Sequence, residues 1–264
     1  MLKLVVSDLD GTLLNPKHRL TAKTIATVQS LVKSGVPFML ATGRHYQDVY
    51  LLAKQLQVPM YLITSNGARV HKACGTLLYE DHIPEPLVAK VLALSAGFDI
   101  HRNLYQQDLW LVEEPHPELL ALHAESGFKY QQTDFGRLAL QLIDKIYFTA
   151  DHAVLVPLEQ QLRAQLGSQL MITFTSPEYL EVMNAGVSKG HALAKLLALK
   201  GINPADVMVL GDGMNDKEML ALVGHPVMMD NAVPVVKALL PNAPIARSNA
   251  EDGVACYLTD YFNL

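Results

Sequence analysis

Leu2-Lys3-Leu4-Val5-Val6-Ser7-Asp8-Leu9-Asp10-Gly11-Thr12 is an apolar run that ends on two carboxylates and then turns. Side chains alternate across a strand, so Asp8 and Asp10 point the same way from its carboxyl end. Gly11 and Thr12 then bend the backbone and leave main-chain amides near the acids. That arrangement can hold a divalent cation and a phosphate at one point.

Three further segments have the same construction. Val207-Met208-Val209-Leu210-Gly211-Asp212-Gly213-Met214-Asn215-Asp216 is a second apolar strand running into glycine and acid. Phe38-Met39-Leu40-Ala41-Thr42-Gly43-Arg44 is a third, ending in a hydroxyl, and in Gly186-Val187-Ser188-Lys189-Gly190 a lysine opens a helix. In an open α/β sheet the loops at the carboxyl ends of strands converge on one crevice, where these groups can meet.

Between these points the chain reads as β-α-β-α-β. Thr21 is an N-cap for a helix carrying Ile25, Val28, Leu31 and Val32 at helical spacing, with Gly35 as its stop. A strand over 36–41, a helix over 46–56 and a strand over 60–64 follow. The succession predicts an α/β fold, a Rossmann-like doubly wound parallel sheet. After Asn66-Gly67 a hairpin is expected, with arms at 69–71 and 77–79, and Ile83-Pro84-Glu85-Pro86 crosses into a second unit. There, helical stretches at 87–96, 117–126 and 154–166 alternate with short strands at 108–112, 146–149 and 171–175, an α+β unit inserted into the first. The expected division is a core of residues 1–82 and 185–264 and an insert of 83–184.

Half of the 264 residues are hydrophobic and 18% are charged, ordinary for a folded chain able to bury a substantial core. The net charge of −5 and the lack of any Lys/Arg-rich run argue against nucleic acid as a partner. Cys74 and Cys256 form no metal or redox motif and read as reduced thiols. No apolar stretch approaches the roughly 18 to 20 residues that span a bilayer. Nor does the start have the basic region and cleavage site of a signal peptide, so a cytoplasmic protein without a membrane partner is expected.

Taken together, the four motifs resemble those of the haloacid dehalogenase superfamily, and the long gap between Arg44 and Lys189 resembles its Cof-type branch, which carries an α/β cap there. Ser65-Asn66-Gly67-Ala68 and Ser248-Asn249-Ala250-Glu251-Asp252-Gly253-Val254-Ala255 are further matches. The resemblance implies a phosphatase in which Asp8 is the nucleophile and forms an aspartyl-phosphate. Asp10 would protonate the leaving oxygen and then take a proton from water, and so would start partly protonated, favoured by a neighbouring carboxylate. Mg²⁺ is the implied cofactor, with Asp8, Asp10 (through its carbonyl), Asp212 and Asp216 as the metal set. Asp216 is open to two other readings, a partner of a metal-bound water or a helix N-terminal acid.

Phosphate and substrate binding would fall to Leu9, Thr42, Gly43 (through its amide), Arg44, Asn66, Lys189 and Asn215, with Arg44 open to an ion-pair reading instead. The implied partner is a small phosphomonoester, with pyridoxal 5′-phosphate and hexose phosphates foremost, and the chain would be a monomer or weak homo-oligomer. A sugar phosphomutase using the same aspartyl-phosphate and a non-hydrolytic phospho-acceptor module are the alternatives. In the cap, Arg102, Tyr105, Glu178 and Tyr179 are candidate pocket residues. His45, His71, His82 and His101 are scattered and read mostly as surface or loop residues.

Overall fold

In the computed structural model, which describes residues 2–72, 74–121, 123–124 and 126–264, the chain runs through fourteen strands and nine helices among the described residues. The first half comprises β1 (Leu4–Ser7), α1 (Ala22–Lys33), β2 (Phe38–Ala41), α2 (Tyr46–Leu56), β3 (Tyr61–Thr64), β4 (Arg69–Lys72), β5 (Leu77–Glu80), α3 (Glu85–Ser95), β6 (His101–Gln106), β7 (Leu109–Val112), α4 (Pro117–Ala121) and β8 (Tyr130–Gln132). The second comprises β9 (Ile143–Thr149), α5 (His152–Leu166), β10 (Leu170–Ser176), β11 (Tyr179–Asn184), α6 (Lys189–Lys200), β12 (Val207–Gly211), α7 (Lys217–Leu222), β13 (His225–Met229), α8 (Pro234–Leu239), β14 (Ile245–Ala246) and α9 (Gly253–Phe262).

One sheet has eight strands in the order β14-β13-β12-β1-β2-β3-β4-β5. From β14 to β3 every pairing is parallel, and β4 and β5 close the edge antiparallel. The strands are continuous apolar runs because helices cover both faces. In β1, Val5 joins a core with Leu31, Val49, Leu56 and Leu258 on one face. Its neighbours Leu4 and Val6 join Leu193, Leu197, Met219 and Leu220 on the other. The period of two repeats in β2 and β12, where Phe38, Leu40, Met208 and Leu210 face one way and Met39, Ala41, Val207 and Val209 the other. The helix starts expected at Thr21 and Ser188 are capped by those side chains, which accept from Thr24 N and His191 N at 3.1 Å each.

The inserted unit holds a six-stranded sheet in the order β10-β11-β9-β6-β7-β8, antiparallel except for β7 with β8. The architecture is the α/β core with an α+β insert expected from the pattern. One face of this second sheet packs under α3 and α5, with Leu104, Ile146, Phe148, Leu180 and Val182 against Val88, Val91, Leu155, Leu158 and Leu162. The alternate residues, Tyr105, Lys145, Tyr147, Tyr179 and Glu181, point at the first sheet. The stretch over 117–126 expected as helical is α-helical only to Ala121, and Leu122 and Glu125 lie outside the described residues.

Candidate active site

Parallel pairing of β12, β1, β2 and β3 sets four carboxyl ends side by side. Asp8 N donates to Leu210 O at 2.9 Å, extending the β1–β12 ladder to the first acid. Gly11 follows at φ +79, and a Cβ there would stand 2.4 Å from Asp212 Oδ2, so only glycine lets the first loop close on the fourth. Thr12 Oγ1 donates to Asp212 Oδ1 at 2.6 Å across that closure. On the other side of β1, Thr42 N bonds Ile63 O and Asn66 N bonds Thr42 O, tying the β2 and β3 ends together.

Lys189, at the start of α6, is 1% exposed, and its Nζ lies 2.6 Å from Asp8 Oδ1 and 2.7 Å from Asp216 Oδ1. Burial disfavours its charge, but Asp216 and Asp8 outweigh that and hold it protonated well above the ordinary lysine value. Asp216 is fully buried; its Oδ2 accepts from the amides of Asp212 at 3.0 Å and Gly213 at 2.9 Å.

Asp8, Asp212 and Asp216 bring carboxylate oxygens within 4.8 Å of one another. Burial, then repulsion from Asp216, pushes Asp8 well above the usual carboxylate range, and the same two causes push Asp212 up to about 6. One lysine does not balance three acids, and a divalent cation would. The all-oxygen set fits a hard ion such as Mg²⁺. The oxygens of Asp216 are already engaged with Lys189 and two amides, so Asp8 and Asp212 have the freer ones.

Asp10 sits in a fork. Arg44 Nε donates to its Oδ2 at 2.7 Å and Arg44 Nη2 to its Oδ1 at 2.6 Å, and His18 Nδ1 stands 3.1 Å from Oδ1. Although burial raises it, the His18 hydrogen bond and the Arg44 cation hold Asp10 far below the usual carboxylate range. The expected partly protonated Asp10 is therefore not met in this arrangement, because its near neighbours are cations and not a carboxylate. The third arm of Arg44, Nη1, reaches the buried Asp48 at 3.2 Å.

A cavity of ≈ 430 Å³ lies between the two sheets. Asp8, Asp10, Thr42, Gly43, Arg44, Asp212 and Asn215 line it, all expected from the sequence. Asn66 lies behind it, its Oδ1 accepting from Asn215 Nδ2 at 3.0 Å. Leu9 buries its side chain in the core, so only its main chain can face a ligand. From the insert come Tyr105, Leu119, His123, Lys145, Tyr147, Tyr179 and Glu181. Tyr105 and Tyr179 were expected. Arg102 was too, but it lies on the helix-covered side of its sheet and pairs with Glu113; Glu178 accepts from Ser176 Oγ in a turn. Lys145, Tyr147 and Glu181 were missed: each is an ordinary strand residue until the register shows which parity faces the core.

The histidine reading also needs correction. His45 is fully buried and His71 is 2% exposed. His45 Nδ1 accepts from Gln47 N at 3.1 Å, so Nε2 carries the proton and donates to Gln107 O at 2.6 Å. Stacking on Phe128 at 4.6 Å fills the rest of its surroundings.

A model of haloacid dehalogenase-like hydrolases matches residues 5–258. The HMP-PP phosphatase of Cronobacter sakazakii is 38% identical over 263 residues, spanning 100% of this chain and 97% of its own. That of Serratia proteamaculans is 39% identical, over 98% of this chain and 94% of its own. The solved haloacid dehalogenase-like hydrolase from Bacteroides thetaiotaomicron is 26% identical with a TM-score of 0.87, covering 99% of this chain and 100% of that one.

Proposed function

Because the chain belongs to the haloacid dehalogenase-like hydrolase family, we propose that its site hydrolyses small phosphate monoesters through an aspartyl-phosphate on Asp8. The observation that carries this reading is the buried Lys189 ammonium bridging Asp8 and Asp216 behind a cavity that Asp8 lines together with Thr42, Gly43, Asp10 and Asp212. A Mg²⁺ held by Asp8, the Asp10 carbonyl and Asp212 would neutralise phosphate charge and the repulsion among the acids. Asp216 serves the site by fixing Lys189 and the Asp212–Gly213 turn.

Lys189 aims Asp8 and opposes the burial and repulsion that raise it, and a bound cation would complete its ionisation. An Asp8 oxygen attacks phosphorus, the bond from phosphorus to the ester oxygen breaks, and that oxygen takes a proton from Asp10. Thr42 and the Gly43 amide donate to the phosphoryl oxygens as charge builds on them. Asp10 is a carboxylate while Arg44 holds it. The incoming dianion competes for Arg44, and once released Asp10 can carry the proton it must give. In the second half Asp10 takes a proton from water, whose oxygen attacks the aspartyl-phosphate and returns Asp8 and inorganic phosphate.

The insert is a cap that supplies the wall around the leaving group. Pyridoxal 5′-phosphate, hexose phosphates and the HMP-PP of the relatives' name are the candidates. Phosphate release from a panel of these, with Mg²⁺ and with EDTA, tests the reading. Release that needs Mg²⁺ in the wild type and is abolished in a folded Asp8→Asn variant supports it. Substantial turnover by Asp8→Asn, or by the metal-free enzyme, would refute it.

A further inference from the structure

Two charged side chains of the cap are buried without any part in the chemistry just described. Lys145, in β9, is 2% exposed, and Glu181, in β11, is 5% exposed. Lys145 Nζ donates to Glu181 Oε1 at 2.9 Å and lies 4.9 Å from the Tyr105 ring centre and 5.2 Å from that of Tyr147. Burying an ion pair costs more than the pair returns unless its remaining hydrogen-bonding capacity is also met. Here the cap does not meet it alone, and the core completes it. Lys145 Nζ donates to Gly43 O at 2.8 Å, and Glu181 Oε2 accepts a short bond from Asn66 Nδ2.

Both contacts bear on groups that face the phosphate. The Gly43–Arg44 peptide is planar, so holding its carbonyl also holds its N–H. That N–H is Arg44 N, which donates to Thr42 Oγ1 at 3.1 Å. With its oxygen used as acceptor there, the Thr42 hydroxyl has its proton free for the cavity. The second contact works through polarity. A carboxylate only accepts, so Asn66 must turn its NH₂ towards Glu181 and its Oδ1 towards Asn215. Asn215 must then answer with its own NH₂, which bonds Asn66 Oδ1 at 3.0 Å and keeps one N–H for the cavity it lines.

We propose that Lys145 and Glu181 are positioning residues that complete the phosphate pocket from the cap, one orienting Thr42 through Gly43 and the other orienting Asn215 through Asn66. The pocket is then fully formed only with the cap seated on the core, which couples covering of the leaving group to readiness for phosphoryl transfer. The proposal rests on the phosphatase reading of this site.

The test compares wild type, Lys145→Met, Glu181→Gln and the double variant on p-nitrophenyl phosphate and on the best substrate of the panel. It also measures competitive inhibition by inorganic phosphate and thermal midpoints. Each single variant is expected to lose about 10- to 100-fold in kcat on both esters, less than deletion of a direct donor costs. Phosphate inhibition should weaken by a similar factor. The double variant has no unpaired buried charge, so it should regain thermal stability over Lys145→Met without regaining kcat, which separates positioning from support of the fold. If Lys145→Met does not fold, the double variant and Glu181→Gln provide the same readings. Variants that keep wild-type kcat and phosphate inhibition, or that change KM for one ester alone, overturn the proposal while leaving the phosphatase reading intact. A folded wild type that releases phosphate from no ester overturns both.

Discussion

Lys189 shows how much a single residue contributes when it is buried from bulk solvent. Its ammonium has two carboxylate partners and is closed to bulk solvent, so it opposes protonation of Asp8 and supports the fold at once. Lys189→Met removes the cation and leaves Asp8 and Asp216 buried without it. Breaking a buried pair in this way typically costs about 3–5 kcal/mol. Chemical denaturation should show a loss of that order, with phosphate release falling to background. Wild-type stability in this variant would mean that Asp8 and Asp216 find other partners. Asp10 is the contrasting case, reachable by solvent and held by Arg44 and His18. Asp10→Asn should cost about 10²–10⁴ in kcat, the usual range for a general acid–base, with the denaturation midpoint little changed.

At the scale of elements, the site depends on close approach between the turn after β3 and the start of α6. Gly67 sits at φ +102, and a Cβ there would stand 2.2 Å from Ser188 O, one residue before Lys189. Gly67→Ala therefore strains its own backbone and pushes α6 outward. A loss of about 1–3 kcal/mol in denaturant unfolding is expected, together with a fall in kcat as Lys189 leaves Asp8. Unchanged kcat would show that α6 tolerates the shift. Elements of this kind were legible in the sequence because an apolar run ending in glycine, acid or hydroxyl is a local pattern. The cap strands were less so: β6 reads His101-Arg102-Asn103-Leu104-Tyr105-Gln106 and carries too many polar residues to show alternation. Some of its polar side chains are satisfied by neighbours far along the chain, as when Gln106 Nε2 donates to Ala139 O at 2.8 Å.

For the molecule as a whole, burial of ionisable groups where cap meets core makes stability depend on pH. Burial pushes His45 down to about 4 from its ordinary 6.5. Between those values the unfolded chain binds a proton that the folded chain refuses, so this group's contribution falls as pH drops from 6.5 to 4 and is level below. Asp144, pushed up to about 6 by burial, works in the opposite sense. The informative quantity is therefore the difference between wild type and His45→Gln. Over that range the wild type should lose roughly 2–3 kcal/mol more than the variant; parallel curves would show that His45 is protonated in the fold. Such burial cannot be read from one sequence, which is why His45 and His71 looked like surface residues. The four converging loops needed no burial information, since each is marked by its own local motif and the βαβ succession implies parallel strands whose carboxyl ends lie on one side.

Alternation along β6, β9 and β11 puts Tyr105, Tyr147 and Tyr179 on the cavity side, while Leu104, Ile146, Phe148, Leu180 and Val182 are committed to the helices behind. The reacting groups hang on a different sheet with separate hydrophobic support. The cavity wall and the reacting groups thus stand on different sheets, joined through the contacts of Lys145 with Gly43 and of Glu181 with Asn66. A library varied at those three tyrosines redraws the wall around the leaving group without replacing the acids or Lys189, with Tyr105 and Tyr147 the costlier positions because they are buried and pack around Lys145. Divergence within such a lineage, or a laboratory search for a new substrate, has an adjustable wall carried on a sheet other than the one that holds the reacting acids.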